Sequence, residues 1–122
     1  MEWAFRPDVP IYTQLAEHLT QRIVSGGYAA GERLPSVRDL ALDAGVNPNT
    51  VQRALAELER TGLVYSQRTA GRFVTEDAAA IAAERERLAR ARAAEFLTAM
   101  EQLGVGAAES VALLERIKEE RI

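Results

Sequence analysis

Apolar residues recur along this chain at helical spacing, interrupted once by an extended pattern. Near the start, Ile11, Leu15, Leu19 and Ile23 return every four residues. That spacing puts them on one buried face of a helix that Pro10 opens and Ser25-Gly26-Gly27 ends. A shorter helical run passes through Val37, Leu40 and Ala41 and stops near Gly45. A third places Val51, Ala54, Leu55 and Leu58 in one stripe, with Asn49, Arg53, Ala56 and Arg60 opposite and Thr50 and Gln52 on the flanks. The pattern then becomes that of extended chain. Leu63-Val64-Tyr65 and Phe73-Val74 are short apolar runs joined by a basic hairpin, Gln67-Arg68-Thr69-Ala70-Gly71-Arg72. Beyond Thr75 the helical period returns in Ile81, Leu88, Ala89, Ala93, Phe96, Met100 and Leu103. Gly104-Val105-Gly106 breaks that helix, and Leu113, Leu114 and Ile117 form the apolar face of a last one over 107–122.

The ends of these elements carry their own signals. Ser36 is a good N-cap, and Asp39 three residues on fits a capping box. Asn47 caps the third helix, and Pro48 takes its first position, where a missing N–H is no loss. Gly62 closes it. Helix, tight turn, helix and basic hairpin predict a mainly α fold with a small β-wing. The divisions are an extended lead-in over 1–9, a winged helix-turn-helix over 10–75 and a two-helix tail over 76–122. Trp3 and Phe5 in the lead-in are expected to pack locally.

Composition narrows the chemistry. A chain of 122 residues is one domain, or one domain with an appendage. It has no cysteine, which removes disulfides, thiolate zinc sites and thiol nucleophiles. Its one histidine, His18, has no ligand or catalytic set near it in sequence and is expected at or near the surface. No enzyme, cofactor or metal is therefore expected. The N-terminus lacks an apolar core of signal-peptide length, and no stretch suits a membrane span, so a cytoplasmic protein without membrane contact is expected.

The net charge of -3 argues against nucleic acid, but its distribution does not. Arg38, Arg53, Arg68 and Arg72 fall on the short helices and the hairpin, while glutamates crowd the tail. The third helix begins with Asn, Thr, Gln and Arg and carries no carboxylate before Glu57. Such side chains can hydrogen-bond base edges or phosphates. Taken alone, the same face also fits the solvated side of a short amphipathic helix. Arg38 follows a capped helix start, where it can reach a phosphate, or it can pair with Asp39 or Asp43.

Leu34-Pro35-Ser36, Arg38-Asp39-Leu40-Ala41, the run Gly45 to Val51, Arg53-Ala54-Leu55, Leu58, Gly62-Leu63 and Gly71-Arg72-Phe73-Val74 together resemble the signature of GntR-type bacterial transcription regulators. Pro10-Ile11-Tyr12 with Gln14-Leu15 matches the start of that domain. The Val-Asn-Pro-Asn-Thr-Val string and the short tail look most like the YtrA branch. The resemblance implies a homodimeric, sequence-specific regulator, a repressor on a palindromic double-stranded operator. The DNA-facing set it implies is Ser36, Arg38, Asn47, Asn49, Thr50, Gln52, Arg53, Arg68, Gly71 and Arg72, with Arg68 and Arg72 at or near the minor groove. A small strand within Tyr28–Arg33 should pair with the wing. Thr69 stands where the family's first wing glycine belongs, which bears on how closely the wing tip approaches DNA.

Two tail helices cannot enclose a core alone. The tail is also too short for the larger effector domains of other GntR branches. Dimerisation through Ile81, Leu88, Phe96, Met100, Leu103, Leu113, Leu114 and Ile117 is the expectation. A small-molecule effector of unidentified chemistry would sit between tail and DNA-binding domain. The competing expectation is a winged-helix protein–protein adaptor without an operator.

Overall fold

A computed structural model describes residues 3–121. The order is α1 (Ile11–Val24), α2 (Val37–Ala44), α3 (Pro48–Arg60), β1 (Val64–Gln67), β2 (Gly71–Val74), α4 (Ala78–Gln102) and α5 (Ala107–Glu120). The chain divides into two compact units, residues 1–85 and 86–122. The first contains the winged helix and the opening turns of α4.

Its core is built by three helices and the root of the hairpin. Leu15, Leu19 and Ile23 of α1, Leu40 and Ala41 of α2, and Val51, Ala54, Leu55 and Leu58 of α3 are buried together with Leu34, Leu63, Val64 and Val74. Ser36 caps α2 by accepting a hydrogen bond from Asp39 N at 3.1 Å. Asn47 caps α3 by accepting from Asn49 N at 2.7 Å. Between these helices Gly45 adopts φ +68°, a left-handed conformation that lets Val46 N–H reach back to Ala41 O at 3.1 Å. This closes α2 and turns the chain into α3.

The first turn of α1 differs from the periodic expectation. Ile11 is 43% exposed, and Gln14 is buried instead. The Gln14 amide is spent on the lead-in: its oxygen accepts from Arg6 N at 2.7 Å, and its nitrogen donates to Arg6 O and Val9 O, both at 2.8 Å. A buried amide with three good bonds incurs little desolvation penalty. Farther out, Trp3 and Phe5 stack at 6.0 Å, both meet the His18 ring edge-on, and Trp3 Nε1 donates to Asp43 at 2.9 Å. The lead-in is thus a strap that ties α1 to α2.

The wing is an antiparallel pair in the register Val64↔Val74, Tyr65↔Phe73, Ser66↔Arg72 and Gln67↔Gly71. Alternation sends Val64 and Val74 inward, while Tyr65 and Phe73 stack at 5.7 Å on the other face. The segment before α2 joins the wing by one antiparallel bridge, Arg33↔Phe73, rather than by a full strand. Three backbone bonds support it: Gly31 N to Val74 O, Val74 N to Glu32 O and Leu34 N to Arg72 O.

The turn is shorter than Gln67–Arg72, because the strands claim both ends and leave Arg68-Thr69-Ala70. Thr69 adopts φ +66° there, the one positive φ outside glycine among the described residues. A β-branched side chain in that region carries strain of roughly 1–2 kcal/mol. Thr69→Gly should therefore raise stability by about 0.5–1 kcal/mol, the relief of strain exceeding the added freedom of the unfolded chain. Denaturant unfolding checks this, and a loss of stability would count against a strained turn.

In the second unit, α4 ends at Gln102 and α5 begins at Ala107, as Gly104-Val105-Gly106 implied. Glu86 and Arg90 form the expected i, i+4 ion pair at 3.7 Å on an exposed face. Among the described residues beyond Arg85 only Ser110 is buried. Leu103, Val111 and Leu114 are 76%, 55% and 46% exposed. Ile81 is placed differently from the rest of its stripe: it packs against the core of the first unit.

Candidate nucleic-acid interface

The side chains that could meet DNA are presented by α2, α3 and the wing, all in the first unit. Burial of Val51, Ala54, Leu55 and Leu58 fixes the rotation of α3. Asn49, Gln52, Arg53, Ala56 and Arg60 are left exposed and Thr50 half-buried. Arg38 is exposed in the first turn of α2, and Arg68 is exposed in the wing turn. Ser36 and Asn47 are committed to their caps, so they shape the helix starts. Gly71, at φ +107°, would bring an added Cβ to 3.1 Å from Arg33 Nε, so a side chain there would push against that guanidinium as well as strain the backbone.

Two of the arginines have partners that the sequence does not announce. The Arg53 guanidinium lies over the Tyr12 ring at 4.0 Å, a cation–π contact that holds it at the start of α1 without neutralising it. Arg72 points toward α3: Nε donates to Glu59 Oε1 at 2.6 Å and Nη2 donates to Gln52 Oε1 at 2.9 Å. Ser66 Oγ donates to the same Glu59 oxygen at 2.5 Å. The hydrogen bonds from Ser66 and then Arg72 hold the Glu59 carboxyl below its ordinary pKa, so it stays an anionic acceptor. Glu57 is occupied within its own helix by Arg60.

The exposed face at the start of α3 therefore carries amides, a hydroxyl and a guanidinium with no carboxylate among them. That combination suits a polyanion with readable base edges. Among the described residues no group of three His, Cys, Asp or Glu could hold a metal ion, and no helix is long and apolar enough to cross a membrane.

Known proteins place this architecture. The family model for bacterial regulatory proteins of the gntR family matches residues 11–74, from the start of α1 to the end of β2. The chain belongs to the GntR family. Its relatives in that family include the HTH-type transcriptional regulator YhcF of Bacillus subtilis, 37% identical over 97% of this chain and 95% of its own length. The HTH-type transcriptional repressor YtrA of the same species is 40% identical over 60% of this chain and 56% of its own. A GntR family transcriptional regulator from Listeria monocytogenes superposes with a TM-score of 0.85 at 38% identity, covering 92% of this chain and 98% of that one. The DNA-binding domain of AraR in complex with operator ORX1 superposes with a TM-score of 0.58 at 28% identity, covering 62% of this chain and 96% of that one. This GntR protein is a DNA-binding transcriptional regulator with a winged helix-turn-helix and a helical C-terminal part.

Proposed function

We propose that this GntR regulator is a YtrA-like repressor that binds, as a homodimer, an operator of two inverted half-sites. The observation that carries the reading is the second unit, whose apolar Leu103, Val111, Leu114 and Ile117 are exposed in the protomer. A second copy offering the same surface is the simplest cover, and a two-fold dimer puts two reading helices on half-sites about one helical turn apart. The repressor role is supported by the likeness to YtrA, named as a repressor. In this reading Asn49, Thr50, Gln52 and Arg53 face the major groove, Arg38 meets phosphate, and Arg68 lies at the minor groove.

Selection of bound sequences from a random DNA pool tests the proposal. An inverted repeat should emerge, and transcription from a promoter overlapping it should fall when the protein is added. Recovery of a lone half-site, or of no preferred sequence as for a protein–protein adaptor, would refute it. Against the selected operator, Arg38→Ala should weaken binding to all sequences alike and lower the salt slope by about one. Asn49→Ala should instead erode preference at one base position by roughly 1–3 kcal/mol. If both variants bind as the parent does, the DNA face lies elsewhere.

A further inference from the structure

Gln52 and Glu59 are seven residues apart on α3, two turns along one face and roughly 10 Å from each other. Arg72 spans that gap from β2, bonded to both. Its register partner on β1 is Ser66, which bonds to the same Glu59 oxygen. Glu59 is therefore gripped by a cross-strand pair, and both it and Arg72 are half-buried, at 32% and 25% side-chain exposure. An exposed surface ion pair would wander; this one is held by three elements.

The consequence falls on Gln52. Arginine offers only donors, so the Gln52 oxygen must be the atom turned toward it, since a flipped amide would set donor against donor. The amide NH₂ is then directed away from Arg72, on a side chain that is otherwise exposed. An unrestrained glutamine can offer a base either its oxygen or its nitrogen. This one is set to lead with the nitrogen.

We propose that Glu59 is a positioning residue for base recognition: by holding Arg72 across α3 it sets the Gln52 amide so that a donor is presented to the major groove. The proposal rests on the reading above in which Gln52 faces base edges. In the major groove both purines present N7 as an acceptor and thymine presents O4, whereas cytosine presents only the N4 amino donor. The set amide therefore accepts a purine or a thymine at the base it contacts and rejects cytosine. Glu59 touches no DNA in this scheme.

Selection from a random pool, followed by competition binding on the selected operator, is run on the full chain and on Gln52→Ala, Glu59→Ala, Glu59→Gln and Arg72→Met. The parent should prefer purine over cytosine about ten-fold at one position of each half-site. Gln52→Ala should abolish that preference, and Glu59→Ala and Arg72→Met should reduce it several-fold at the same position, leaving the others unchanged. Glu59→Gln, which keeps an acceptor oxygen for Arg72, should retain most of it. Thermal melting identifies a variant that fails to fold, in which case Arg72→Met, which leaves Glu59 in place, decides between the outcomes. A uniform change in affinity at every sequence with Glu59→Ala would reduce Glu59 to a wing anchor and overturn the proposal. So would an unchanged profile while Gln52→Ala still erases one position. If Gln52→Ala alters no position, the reading of the α3 face fails first, and the proposal falls with it.

Discussion

A chain ended after Arg85 should be monomeric in light scattering and should bind the full operator about 10²–10⁴-fold more weakly than the full-length protein. The expectation comes from arithmetic rather than from any lost DNA contact. One winged helix reads only a few base pairs. Joining two makes the second contact intramolecular, and its benefit disappears when the joint is removed. Arg85 is the right place to cut, because the first unit extends to it and Ile81 packs on its core. A cut at Thr75 would strip that side chain away and confuse loss of pairing with loss of fold. The same result should follow from Leu114→Glu in the full chain. Leu114 is 46% exposed in the protomer, so a carboxylate is tolerated there in one copy but costly in an apolar contact between two. A truncated or Leu114→Glu protein that stayed dimeric and bound normally would move the interface to α1 or the lead-in.

The second large effect is on stability. Leu55→Ala should cost about 3 kcal/mol and lower Tm by roughly 12–24 °C. Leu55 is 1% exposed, in the middle of the buried stripe of α3 and among the largest fully buried side chains. Its removal leaves a hole that the neighbouring helices can only partly close. Domains of this size are stable by about 5–15 kcal/mol, so the loss is a large fraction of the whole. Operator binding should weaken in parallel on warming, because the same side chain sets the rotation of α3, whose exposed face is proposed to meet DNA. A cost below about 1 kcal/mol would mean that α3 is seated by something other than this core.

The helices of the reading unit were legible because their ends are written in local chemistry. Ser36, Asn47 and Pro48 mark starts, and Gly45 and Gly62 mark stops, close to where α2 and α3 begin and end. The hydrophobic period then placed Val51, Ala54, Leu55 and Leu58 inward. What could not be read depends on contacts that hydrophobic spacing does not encode. Periodicity counts Ile11 as core and passes over Gln14, whose burial rests on hydrogen bonds to the lead-in. It also runs Ile81 into the tail stripe, since a continuous helix does not declare where its neighbours change. The roles of Tyr12 and Glu59 were hidden for the same reason. Tyr12 stands in the opening motif of the domain and Glu59 in none, but the role of each is defined by an arginine brought to it only by the fold. For Thr69 the signal was present: a threonine in a glycine's place is the one non-glycine residue with positive φ among the described residues.

The seat of Trp3 gives the protein a selective optical reporter. It is the sole tryptophan, fixed against Phe5 and His18 and tethered to Asp43. The three tyrosines, Tyr12, Tyr28 and Tyr65, also precede residue 86, so the second unit contains neither chromophore. Intrinsic fluorescence therefore follows the winged helix alone. Far-ultraviolet circular dichroism, dominated by helix content, also registers α4 and α5. Whenever the two signals part during unfolding, their difference is the tail, observed without a label.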